Sequence, residues 1–177
     1  MGTMKRMPLA VACALAVMTL APVEAQVQEI VLHNFQPATG MNPTTGVTLA
    51  PDGICGTTES GGTSDDGVVN KLDTAFHYTV LHNFTGADGV GPNVGVIRDS
   101  AGNLYGAAAD DTGQGVVYKL DAAGNYTVLY NFGGADGDAP QAGVSITPAG
   151  NLVGTAIGGG KYDQGEGGVL FMLTGVQ

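Results

Sequence analysis

The residues of this 177-residue chain best able to do chemistry are carboxylates set among glycines. Glu59, Asp65 and Asp66 fall in one such segment, Asp110 and Asp111 in a second, and Asp163 and Glu166 in a third. Asp88 lies in a shorter segment, and Asp136 and Asp138 in its counterpart. Calcium takes about six to eight oxygen ligands, which Asp/Gly loops can supply from carboxylates and backbone carbonyls. The candidate metal ligands are therefore Asp65, Asp66, Asp88, Asp110, Asp111, Asp136, Asp138 and Asp163. No EF-hand is present, and Gly133-Gly134-Ala135-Asp136-Gly137-Asp138 only approaches a Gly-Gly-x-Gly-x-Asp array. The same residues also read as solvated turns, because Asp-Gly is a favoured turn sequence.

Other catalytic chemistry is sparse. Gly143-Val144-Ser145-Ile146-Thr147 lacks the second glycine of a nucleophile elbow. Gly158-Gly159-Gly160-Lys161-Tyr162 lacks the upstream glycine and the following Ser/Thr of a phosphate loop. His33 and His82 share one repeat position, where a third copy has Tyr130. No further ligand is spaced to join them, which favours aromatic packing over metal or base chemistry. Cys55 falls in a predicted strand and reads as a buried, inert thiol.

The carboxylates are positioned by a repeat of roughly 48 residues. Val31-Leu32-His33-Asn34-Phe35 returns as Val80-Leu81-His82-Asn83-Phe84 and as Val128-Leu129-Tyr130-Asn131-Phe132. Gly67-Val68-Val69-Asn70-Lys71-Leu72-Asp73 returns as Gly115-Val116-Val117-Tyr118-Lys119-Leu120-Asp121, and more weakly from Gly168 to Leu173. Each repeat reads as four short β-branched and aromatic strands, A to D, bounded by Gly, Pro, Asn and Asp. Strand A is expected at 46–50, 94–98 and 143–147, and strand B at 53–58, 102–108 and 150–156. Strand C is expected at 68–72, 116–120 and 169–173, and strand D at 77–84 and 125–132.

The predicted fold is all-β, with about three four-stranded antiparallel propeller-like blades covering 46–84, 94–132 and 143–173. Residues 28–35 read as a strand D with no A, B or C before it, and the last repeat lacks a D. The expectation is that the N-terminal strand 28–35 completes the last blade and buries its open edge. Two chains joining into one six-bladed ring, a homodimer, is a further arrangement. In up-and-down sheets the B–C and D–A loops leave at one end, so the candidate carboxylates should share a face.

At the N-terminus, Lys5 and Arg6 precede an apolar run from Met7 to Leu20, followed by Val23-Glu24-Ala25. This predicts a signal peptide over 1–25 and a single β-repeat domain over 26–177. The mature protein is expected to be exported, extracellular or periplasmic, with no membrane association after cleavage. With 6 basic and 16 acidic residues the chain lacks the basic footprint that nucleic acid or anionic lipid requires.

Four blocks carry a family resemblance: Asn125 to Phe132, Gly134-Ala135-Asp136-Gly137, Asp99 to Gly106, and Gly115 to Asp121. They resemble the GloVer tandem repeat, over nearly all of 28–173. The resemblance implies an exported bacterial repeat protein, and it carries no particular activity. The expected function is a secreted, non-enzymatic binding or structural module, calcium-stabilised if its loop carboxylates converge. A carbohydrate or another extracellular protein is the expected ligand class. The alternative is an extracellular hydrolase or lyase acting on polysaccharide or lactone through carboxylates of the acidic loop face.

Overall fold

The computed structural model describes residues 27–161 and 167–176. The predicted signal peptide and Asp163 lie outside the described residues. The chain divides after Ile30; of the first part only 27–30 is described, as exposed chain without strand. The statements that follow concern the part from Val31 onward.

That part is all-β, with no helix among the described residues. The first sheet holds β1 (Thr48–Ala50), β2 (Gly53–Thr58), β3 (Val68–Asp73) and β4 (Tyr78–Asn83), hydrogen-bonded in chain order. The second repeats this order with β5 (Ile97–Arg98), β6 (Leu104–Ala108), β7 (Val116–Leu120) and β8 (Tyr126–Asn131). The third has only β9 (Val144–Ile146), β10 (Leu152–Ala156) and β11 (Val169–Leu173). All pairings are antiparallel. One register shift recurs at the same repeat position, between Val69 and Asn70 and between Val117 and Tyr118.

The expected strand positions hold, although the A strands are shorter than their sequences suggested. The tight turns are closed by side chains, which explains their composition. Asp99 Oδ1 accepts the Asn103 N–H at 2.8 Å, and Asp121 Oδ1 accepts the N–H groups of Ala123 and Asn125. Asp73 does the same for Ala75 and His77, and the Thr147 hydroxyl accepts from the Asn151 N–H. These are Asx and ST turns, in which a short polar side chain replaces a missing main-chain acceptor.

Two apolar cores lie between successive sheets. Cys55, Val69 and Phe84 of the first repeat meet Val96, Leu104, Val116, Tyr118 and Leu120 of the second. Tyr105, Ala107, Val117 and Phe132 meet Val144, Leu152 and Ala156 of the third. Strand β7, with a core on each side, is thus buried on both faces, as a sheet covered on both sides requires. The Tyr118 ring lies directly over Gly106, where any Cβ would stand 2.4 Å from its hydroxyl. Only glycine fits there.

One expectation is overturned. Residues 28–35 form no strand, and the third sheet has no fourth member among the described residues. The His33 ring instead stacks on Tyr78 of the first sheet, with centroids 3.8 Å apart and planes at 2°. Phe35 meets the same ring edge-on at 5.8 Å. The physical reason is a second task of strand D that its ladder pairing conceals. His82 and Phe84 pack identically on Tyr126 of the second sheet, at 3.8 Å and 5.9 Å. A strand-D motif thus staples onto the sheet that follows it, and its short connector to β1 keeps 31–35 beside the first sheet.

Candidate functional site

The strand order places the β2–β3 and β6–β7 loops at the same end as the connectors between sheets. The loops and connectors that carry Asp65, Asp66, Asp88, Asp110, Asp111, Asp136 and Asp138 therefore leave their sheets at one end. Its scaffold is main-chain bonding. The connector after β4 donates from Val90 N–H to Ala109 of the next sheet and from Gly91 N–H to Asp66 of its own. The connector after β8 repeats this, from Asp138 N–H to Gly158 and from Ala139 N–H to Gln114. Each connector is thereby tied to a loop on either side of it.

Within this scaffold four of the carboxylates, Asp65, Asp88, Asp110 and Asp136, face inward to their own turns. Asp110 Oδ1 accepts three bonds, from the Thr112 and Gln114 N–H groups and the Thr112 hydroxyl. Desolvation opposes ionisation of Asp110, but these bonds outweigh it and hold the carboxyl below its ordinary value. Asp65 Oδ1 accepts the Gly61 N–H at 2.8 Å. Asp88 Oδ1 accepts the Thr85 N–H and hydroxyl, and its Oδ2 lies 3.0 Å from His82 Nε2. Asp136 takes the Gly133 N–H and the Tyr130 hydroxyl, and the tyrosine bond leads in holding its carboxyl low. Asp111 lies against Gly86 and Asp138 against Gly158, each where a Cβ would collide with the carboxylate. Asp66 contributes its carbonyl. Among the described residues no three His, Cys, Asp or Glu groups come together to hold a metal ion.

His82 and Asp88 form the one His–carboxylate pair at this end among the described residues. The imidazole is sandwiched against Tyr126 and its side chain is 17% exposed. Burial pushes its pKa below 6.5, with Asp88 pulling the other way. No hydroxyl or thiol nucleophile is bonded to it among the described residues. At the equivalent place in the next repeat, Tyr130 and Asp136 make the same link without a titrating imidazole. The pair is a fastener that spans a connector. His33 has Thr39 where His82 has Asp88, and its buried Nε2 has no partner.

Two concave surfaces lie at the other end, beside turns whose sequences carry no catalytic motif. A cavity of about 260 Å³ opens between the first two sheets and is lined by Asp52, Lys71, Arg98 and the Asp121–Gly124 turn. A larger groove of about 710 Å³ lies between the second and third, lined by Arg98, Asp99, Tyr105, Lys119 and Thr147. Asp52 bonds both Lys71 and Arg98, the latter at 3.0 Å, and the lysine bond leads in keeping its carboxyl low. The basic side chains of the sheets thus gather opposite the acidic loops. The signal available in sequence was that Lys71, Arg98 and Lys119 all fall beside A–B or C–D turns.

Repeated antiparallel sheets, stapled by aromatic rings and two-sided connectors, define a tandem-repeat protein. The family model of the Gloeobacter/Verrucomicrobia repeat, GloVer, matches residues 16–176, and the chain belongs to that family. No curated protein and no solved structure matches it.

Proposed function

We propose that this protein is an exported, non-enzymatic binding or structural repeat module whose sheets are arranged as propeller-like blades. The blade arrangement is supported by the A strands, since β1 neighbours β5 and β5 neighbours β9. The observation that carries the functional reading is the use of the loop carboxylates. Asp65, Asp88, Asp110 and Asp136 all accept bonds from N–H groups of their own turns. Oxygens already committed in this way rigidify a surface and are poorly placed to transfer protons to a substrate. A carbohydrate or an extracellular protein is the ligand class proposed for that surface.

The test is binding and turnover on the same purified protein. Immobilised polysaccharides and culture-supernatant proteins are the probes, with reducing-sugar and lactone-opening assays alongside. Retention without turnover is the expected result. Turnover that disappears in D88N, with the melting point retained, would replace this reading with the hydrolase one.

A further inference from the structure

The two grooves at the turn end are built on the same repeat positions, and they differ by one carboxylate. The ladders align Ile54 with Leu104 and Leu72 with Leu120, so Lys71 is equivalent to Lys119 and Asp52 to Gly102. At the first junction Asp52 lies between Lys71 and Arg98 and pairs with both. The hollow left there is about 260 Å³. At the second junction glycine stands in the place of Asp52, and Ile146 in the place of Arg98. Half-buried Lys119 makes no hydrogen bond or ion pair among the described residues, and it acts on Asp121 only through space. Its ammonium rests 5.8 Å from the centre of the Tyr105 ring, and the Tyr105 hydroxyl donates to Asp99 Oδ2 at 3.0 Å. An aromatic face steadies a cation without neutralising it. Asp99 also lies in this groove, but both its oxygens are taken, by the Asn103 main chain and amide and by Tyr105.

We infer that the groove between the second and third sheets binds a uronate sugar, whose carboxylate takes at Lys119 the place that Asp52 fills at Lys71. The space is there: about 710 Å³, within the range of about 300–1,000 Å³ usual for small-ligand sites. Arg98 lines the same groove and adds a second positive charge, offset in part by Asp52. Ile146 and Leu152 give it an apolar floor suited to the C–H face of a pyranose, and the hydroxyls of Ser100 and Thr147 stand where ring hydroxyls would meet them. An acidic peptide carries the same carboxylate without the hydroxyl edge that this rim matches. The site lies opposite the acidic loops and does not rest on the ligand reading given for them. Retention by the loop face would survive the loss of Lys119, so the two readings fail separately.

The test is titration calorimetry of the full chain with trigalacturonate, its methyl ester and a glutamate tripeptide. Wild type, K119M, K119R and K71M are compared, with melting points alongside. Wild type is expected to bind trigalacturonate and neither of the other two probes. K119M should lose about tenfold or more in affinity, and K119R should recover most of it. K71M, whose ammonium Asp52 holds at the other junction, should bind as wild type does. Where K119M melts early, wild type in rising salt decides, because a lysine–carboxylate contact at a half-open site weakens between about 0.05 and 0.5 M NaCl. Affinity unchanged across that range overturns the inference. So does a wild type that ignores trigalacturonate, a methyl ester or tripeptide that binds as tightly, or a folded K119M that binds as wild type does.

Discussion

Strands β7 and β11 occupy the same place in two repeats and lie in opposite environments. Val116, Val117 and Tyr118 of β7 are wholly buried, with β6 and β8 as ladder partners and a sheet on each face. In β11, Val169, Phe171 and Leu173 pack inward against the second repeat while Leu170 and Met172 face out. The two sequences, Val-Val-Tyr-Lys-Leu and Val-Leu-Phe-Met-Leu, are both strand-forming, so the strand's own propensity does not set the difference. It comes from what lies beside each strand: β7 has β8 and a following sheet, and β11 has neither among the described residues. In a repeat array the interface, not the unit, decides what is core.

The largest expected effect breaks this comparison directly. V117D places a carboxylate where no water reaches, and we expect it to cost more than about 4 kcal/mol and abolish folding. L170D, at the equivalent position, is expected to change stability by less than about 0.5 kcal/mol in dilute solution. Urea unfolding of the two variants checks both. Equal losses would mean that β11 is interior after all.

A smaller effect distinguishes the sheets by their glycines. G106A forces a Cβ into the fixed Tyr118 ring and is expected to cost about 1–3 kcal/mol. G56A meets Asn70 Oδ1 at 3.5 Å and Val47 Cγ1 at 3.9 Å, both ordinary contacts, and should be close to neutral. The third test concerns the same ring. Tyr118 is fully buried, its hydroxyl has no partner, and burial pushes its pKa strongly upward. Y118F, which installs the residue that β11 already has at Phe171, is expected to gain about 1 kcal/mol. A loss on thermal melting would show that the hydroxyl is satisfied.

The smallest effect separates the two connectors by pH. Because the folded pKa of His82 is depressed below 6.5, the unfolded chain binds more protons between that folded value and 6.5. Stability therefore rises with pH through this window and falls on acidification through it. H82Y, which copies Tyr130, is expected to remove that slope. What remains is the loss at lower pH from carboxyls held below 3.8. At Asp99 desolvation works against ionisation, but the Asn103 and Tyr105 bonds prevail; at Asp121 the Asn125 side chain leads. Their stabilisation is present above 3.8 and fades as pH falls through the folded values. Melting points of wild type and H82Y from pH 4 to 8 check the assignment.

Much of this architecture was legible beforehand, for identifiable reasons. Strand limits at Gly53–Thr58 and Val68–Asp73 follow from turn residues whose side chains close the adjacent bends. The double-sided burial of β7 follows from apolar groups at successive positions. The placement of 28–35 was not legible, because one motif serves both a ladder and a staple and its letters do not show which is in use. The fate of the carboxylates was hidden for a similar reason. Sequence puts Asp110 at the loop end, but whether its oxygens turn inward depends on loop torsions. The Asp52–Lys71–Arg98 cluster joins two repeats, so reading one repeat at a time passed over it.

The most direct measurement is amide hydrogen exchange on β7 and β11. Strand β7 should be protected along its whole length, because β6 and β8 flank it. The β11 amides that point away from β10 should exchange freely. Protection of those amides equal to that of β7 would contradict the account, because β11 would then be an interior strand.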